Sequence, residues 1–154
     1  MNKYLQECIN KGLPIICDYD GVLFEARFGY DKVMASDNDN EIIEAHKQGI
    51  GLNTSPIPFM INFLSKIDNP KICLSHIHTD IEEQNKIDQL AKYYGGIKLL
   101  RANSVDEKIG YLLGIYQKYG GFVYIDDTLP YIQKFEKALG FENANFFHVS
   151  SLYV

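Results

Sequence analysis

Short apolar runs alternate along this chain with longer stretches whose apolar residues recur at helical spacing. The short runs are Leu13 to Cys17, Lys71 to Ser75, Ile97 to Leu100, Phe122 to Ile125 and Asn145 to Val149. Runs of this kind suit strands buried on both faces, as in a parallel sheet. Between them, residues 3–11 predict a short helix stopped by Gly12 and Pro14. Residues 39–48 and 57–67 also predict helices, the second opened by Pro56 and Pro58. Thr79 with Glu82, and Ser104 with Glu107, have the spacing of capping boxes. They open helices that end at Gly95 and Gly96 and at Gly120 and Gly121. Thr128 predicts the cap of a last helix reaching Leu139.

Strands separated by helices imply βαβ crossovers. The expected fold is therefore α/β: a Rossmann-like parallel sheet of about five strands with helices on both faces. One stretch departs from the pattern. Glu25 to Thr54 carries Asp31, Asp37, Asp39, Glu41 and Glu44 among scattered aromatics and glycines. It reads as a short cap or flap inserted after the first strand, at about residues 24–55, within a single domain spanning 1–154.

Composition narrows the class without changing it. Of 154 residues, 46% are hydrophobic and 23% charged, which excludes disordered, collagen-like and coiled-coil chains. A net charge of -5 argues against broad, nonspecific binding to nucleic acid. Cys8, Cys17 and Cys73 make no disulfide framework. Cys17 should turn into the packing as a small hydrophobe. The first residues hold no apolar stretch suited to a signal peptide, and no run is long enough for a membrane span. The expectation is a reduced, soluble, cytoplasmic protein.

In open α/β sheets, ligands bind beyond the carboxyl ends of the strands. There the first strand ends in Asp18-Tyr19-Asp20-Gly21-Val22, the second in Ser75, and the fourth in Asp126-Asp127. Lys108 lies near the start of the helix leading into the fourth. Two like charges about 4 Å apart repel by roughly 1 kcal/mol in water and about 4 kcal/mol at an effective dielectric of 20. Such a cluster needs a cation, or a carboxyl that keeps its proton. Oxygen donors without Cys or His favour Mg²⁺ over Zn²⁺, and Mg²⁺ commonly completes its shell with a phosphate.

Asp-x-Asp-Gly-Val after an apolar strand, then Ser, then Lys on a later helix, then Asp-Asp: in this order the motifs resemble those of the haloacid dehalogenase-like (HAD) phosphohydrolases. They span Asp18 to Asp127. The resemblance implies that Asp18 is the nucleophile forming an aspartyl-phosphate, and that Asp20 is the acid and then the base. It implies that Ser75, Lys108 and Gly21 hold the phosphoryl group. Asp18, Asp126, Asp127 and the Asp20 backbone carbonyl would hold Mg²⁺. An acid at Asp20 resembles the phosphatase and phosphomutase pattern. The implied activity is phosphomonoester hydrolysis of a small metabolite, with a nucleotide first in line because the DYDGVLF segment is similar to deoxyribonucleotidase-type members.

Bland alternatives stand beside these roles. Asp-Gly is a common turn pair, Asp127 could assist a helix cap, and Lys98 competes with Lys108. His76 and His78 read as pocket-mouth or loop residues before they read as a second metal site. Tyr111, Ile115 and Tyr119 recur as a packing stripe. Phe24, Glu25, Arg27, Phe28 and Tyr30 either recognise substrate or pack the insertion. A cap of about 30 residues leaves the cleft open to a larger substrate or to closure by an oligomer partner. Two other classes compete: a phospho-accepting receiver, and a catalytically silent HAD-fold binding protein.

Overall fold

The structure, a computed structural model, describes residues 1–28, 32–33, 39–47, 49 and 54–153. Helix α1 (Lys3–Asn10) leads into strand β1 (Ile15–Cys17). Two short strands, β2 (Arg27–Phe28) and β3 (Lys32–Val33), and helix α2 (Asp39–Lys47) follow within the expected insertion. Then come α3 (Pro58–Ser65), β4 (Lys71–His76), α4 (Asp80–Tyr93), β5 (Lys98–Ala102) and α5 (Val105–Tyr119). The chain ends with β6 (Phe122–Asp126), α6 (Leu129–Ala138), β7 (Ala144–His148) and a 3₁₀ turn at Val149–Tyr153. Among the described residues no helix is long and apolar enough to cross a membrane.

The main sheet is parallel throughout, in the order β5-β4-β1-β6-β7. The fold is the α/β, Rossmann-like one that the apolar runs predict. Alternation along the strands sends side chains into two separate cores. Ile15, Cys17, Cys73, Val123 and Ile125 pack with Leu5 of α1, Met60 and Phe63 of α3 and Leu90 of α4. Ile16, Leu74, Phe122 and Tyr124 pack on the other face with Leu112 and Ile115 of α5 and Phe135 of α6. Cys8, Cys17 and Cys73 are free and buried. Both faces are thus covered, and β1 has no exposed residue.

The strand order places a topological switch at β1. Crossovers run one way through β4 to β5 and the other way through β6 to β7, so the switch point, where open α/β sheets bind ligands, lies at the carboxyl ends of β1 and β6. The insertion leaves and returns at that end of the sheet. The Glu25 N–H donates to the Ser55 carbonyl at 2.8 Å, and the Ile57 N–H to the Leu23 carbonyl at 2.9 Å. Helix α2 packs against α4.

The structure decides between the two readings of Phe24 and changes two other local expectations. Phe24 is fully buried, stacked on Tyr19 at 4.5 Å and edge-on to Tyr93 and Tyr94, so it packs the loop and is closed to a ligand. Of its companions, Glu25 is exposed, the side chains of Arg27 and Phe28 lie outside the description, and Tyr30, Asp31 and Asp37 lie outside the described residues. The stripe on α5 also shifts. Ile115 is buried, but Tyr111 and Tyr119 are 38% and 39% exposed. The inward positions are Lys108, Leu112 and Ile115, one step off the tyrosines. The tyrosines instead line a shallow groove with Pro70, Lys71, Lys98 and Lys118 at the amino ends of β4 and β5.

The capping boxes close in an altered form. Thr79 and Ser104 accept from the N–H groups of Glu82 and Glu107, as a cap should. Each glutamate carboxylate, however, takes the N–H of the residue before the cap, His78 and Asn103 respectively. Thr128 sits at the N-cap of α6 but does not use its side chain there. Its hydroxyl donates to Asp127 instead, at 3.2 Å.

Candidate functional site

Asp18 follows the last residue of β1, and its N–H donates to the Ile125 carbonyl of the neighbouring strand. That bond carries the β1–β6 register one residue past the sheet and sets Asp18 beside Asp126, the last residue of β6. Asp18, Asp126 and Asp127 each offer a carboxylate oxygen, all within 4.8 Å of one another. This is the one such convergence of acidic, His or Cys groups among the described residues.

Each member is held from behind. The Lys108 ammonium, reaching in from the first turn of α5, donates to Asp18 Oδ1 at 3.0 Å and to the Tyr124 hydroxyl at 3.4 Å. Tyr124 donates to Asp126 Oδ2 at 2.6 Å, and the Thr128 N–H donates to Asp126 Oδ1 at 3.0 Å. Burial, and next the charge of Asp18, pushes the Asp126 carboxyl up to about 7, against the pull of Lys108. The same two causes raise Asp127. Burial pulls Lys108 down, but Asp18 and Asp126 outweigh it and its net shift is upward. Three carboxylates share one ammonium, and that deficit of positive charge suits a hard cation with oxygen ligands. Asp18, Asp126 and Asp127 are the side chains able to hold it. The Asp20 carboxylate lies outside this group and points elsewhere.

Gly21 explains itself by geometry. Its φ is +77°, and a Cβ there would fall 2.0 Å from Asp127 Oδ2. Its N–H already donates to the Phe24 carbonyl at 2.8 Å. The glycine thus makes room for Asp127, and its N–H is not free for a phosphoryl oxygen. Lys98 sits at the amino end of β5, opposite Ile72 and away from the acidic cluster, so Lys108 is the lysine that meets Asp18.

A second charged group lies alongside. The Lys86 ammonium donates to Glu82 at 2.8 Å, to Ser75 Oγ at 3.0 Å and to Asp20 Oδ2 at 3.2 Å. It also stands 4.7 Å over the Tyr19 ring. Lys86 and Glu82 have side chains only 1% and 2% exposed. Burial would lower Lys86, yet Asp20 and Glu82 raise it on balance. Burial would raise Glu82, yet Lys86 and the His78 N–H hold it down at about 2. Both groups are charged. Glu82 also accepts from His78 Nδ1 at 2.9 Å and faces His46 Nε2 at 3.9 Å.

The chain matches no protein-family model and no curated protein. The site therefore stands on its own geometry.

Of the residues that sequence reasoning names, Lys108, Asp126 and Asp127 gather at Asp18, while Asp20 and Ser75 meet at Lys86. That reasoning missed Lys86 and saw Glu82 only as a cap. A signal was present: positions 82, 86 and 90 form one inward stripe of α4, and two of the three are charged. His148 was also passed over. It ends β7, and its Nε2–H donates to the Asp127 carbonyl at 2.9 Å while its Nδ1 accepts from the Ser150 N–H. The rings of His76 and His78 lie 4.5 Å apart, tilted by 37° to one another, with His78 turned to Glu82. Neither joins a metal-type cluster among the described residues.

Proposed function

We propose that this chain is a Mg²⁺-dependent phosphomonoesterase of the HAD-like type, acting through an aspartyl-phosphate on a small phosphorylated metabolite. The supporting observation is the meeting of Asp18, Lys108, Asp126 and Asp127, drawn from separate motifs, at the switch point of a parallel sheet. Asp18 Oδ attacks phosphorus, the bond from phosphorus to the leaving oxygen breaks, and Asp20 gives that oxygen a proton. Asp20 then takes a proton from water, the water oxygen bonds to phosphorus, and Asp18 leaves as a carboxylate. Lys108 orients Asp18 and offsets the charge that builds on the phosphoryl oxygens, and Ser75 donates to one of them. Mg²⁺, held by Asp18, Asp126, Asp127 and the Asp20 backbone carbonyl, supplies the remaining positive charge when bound.

Asp20 suits its task in one further respect. Lys86 engages Oδ2, and Oδ1 makes no hydrogen bond among the described residues, so one oxygen stays available to the leaving group. The receiver reading loses ground on topology. A flavodoxin-like receiver has the strand order 2-1-3-4-5, whereas the strands of this sheet, counted along the chain, run 3-2-1-4-5. A nucleotide remains the first substrate to try, in a soluble, cytoplasmic setting.

The test is hydrolysis of para-nitrophenyl phosphate and a panel of metabolite monoesters with Mg²⁺ and with EDTA. Metal-dependent release of phosphate from at least one ester supports the proposal. No release from any ester, with no beryllofluoride binding, would move the protein to a silent binding role.

A further inference from the structure

Lys86 is more than a buried counter-ion. An ammonium has three hydrogens and no acceptor capacity. All three are committed, to Glu82 on its own helix, to Ser75 on β4 and to Asp20 in the loop after β1. The Glu82 contact alone would satisfy a structural i,i+4 pair. The other two reach groups on separate elements, both beside the phosphoryl site. Because Lys86 can only donate, Ser75 Oγ must accept, and the hydroxyl hydrogen of Ser75 has to point away from Lys86. That hydrogen has no acceptor among the described residues, although the side chain is buried. A buried donor without an acceptor, polarised by an ammonium behind it, is what an incoming anionic oxygen requires.

We propose that Lys86 is a positioning residue of the phosphate site: it locks Ser75 as a donor to the phosphoryl oxygen and holds Asp20 by one carboxylate oxygen, leaving the other for the leaving group. This inference rests on the phosphomonoesterase reading and extends it to a residue outside the four motifs. It assigns Glu82 a supporting part, since Glu82 anchors Lys86 and is itself anchored by the His78 N–H. Lys108 then serves the nucleophile, and Lys86 serves the hydroxyl and the acid.

The experiment is a double-mutant cycle on the affinity for inorganic phosphate, measured with Mg²⁺ in the full chain. The variants are Ser75→Ala, Lys86→Met and the two combined. Each single change is expected to weaken phosphate by about 10- to 100-fold, the scale of a hydrogen bond to a charged group. The combined variant should be no weaker than the poorer single one, because Lys86 acts through Ser75. Lys86→Met strands the charge of Glu82, so Lys86→Met with Glu82→Gln is made as well. It removes both charges and keeps an acceptor for the His78 N–H, and it should lose the same phosphate affinity while staying folded. A lysine with a structural role alone would lower the melting temperature and leave phosphate affinity unmoved. Wild-type affinity in a folded Lys86 variant, or fully additive effects in the cycle, overturns the inference while leaving the phosphatase reading intact. A wild-type protein that neither binds phosphate nor hydrolyses any monoester overturns both.

Discussion

Two lysines divide the site into halves that are built differently. Around Lys108, Asp18, Asp126 and Asp127 crowd one ammonium, and burial with the charge of Asp18 drives the Asp126 carboxyl up to about 7. Around Lys86, two carboxylates share one ammonium, and Glu82 is held down at about 2. The first half is short of positive charge and strained by like charges. In the second, each ammonium hydrogen has an acceptor, on Glu82, Ser75 and Asp20. A site that takes up a cation needs the first kind of region, and a site that holds side chains in one arrangement needs the second.

The comparison can be broken most severely at Asp18. Asp18→Asn should remove metal-dependent phosphate release by on the order of 10⁴-fold or more, as for other nucleophiles that act as part of a unit. The measurement is the steady-state rate on the best ester from the panel.

Stability separates the halves by sign. Glu82→Ala leaves Lys86 with Asp20 alone, so unfolding by denaturant should show a loss of about 2–3 kcal/mol. That is less than for a fully stranded charge, because Asp20 remains. Asp126→Asn should act in the opposite direction. A folded-state carboxyl raised from 3.8 to about 7 penalises folding progressively as pH climbs through that window. In EDTA at about pH 8, the variant should gain on the order of 1–3 kcal/mol while losing metal-dependent turnover. A loss of stability in EDTA would show that like-charge strain does not dominate that half.

The smallest expected effect lies where α2 meets the Lys86 half. His46 is buried there, beside Asn85 and facing Glu82. Burial lowers its pKa, Lys86 and His78 act in the same direction, and Glu82 and Asp20 oppose them. A base whose folded pKa is depressed adds stability that is present above its ordinary value of 6.5 and lost as pH falls below it. His46→Asn should therefore flatten the decline in stability between about pH 7 and pH 5, as read by denaturant midpoints.

The halves also differed in how far they could be read beforehand. Asp18, Ser75 and Asp126 sit at the ends of apolar strands, where a run such as Phe122 to Ile125 both predicts the strand and points to its carboxyl end. The sheet, its helices and the Lys108 half were legible for that reason. Lys86 lies inside a helix whose inward face is polar, with Glu82, Asn85, Lys86 and Gln89 all buried. Periodicity assigns such residues to the surface, because a buried polar face makes sense only once its partners on β4 and in the loop after β1 are known. Glu82 was hidden for a related reason: its spacing from Thr79 already had a sufficient local explanation. The tyrosines of α5 failed in the other direction, since helical spacing does not say which neighbouring stripe faces the sheet.

The central claim is that Asp18, gripped by Lys108, becomes phosphorylated during turnover. The direct measurement is acid quenching of the protein with Mg²⁺ and the best monoester from the panel, followed by mass spectrometry of the peptide carrying Asp18. The account predicts a phosphoryl group on Asp18 in the wild-type protein and none in Asp18→Asn. Sustained phosphate release by Asp18→Asn at the wild-type rate, with no phosphorylated Asp18 peptide in the wild type, would contradict it.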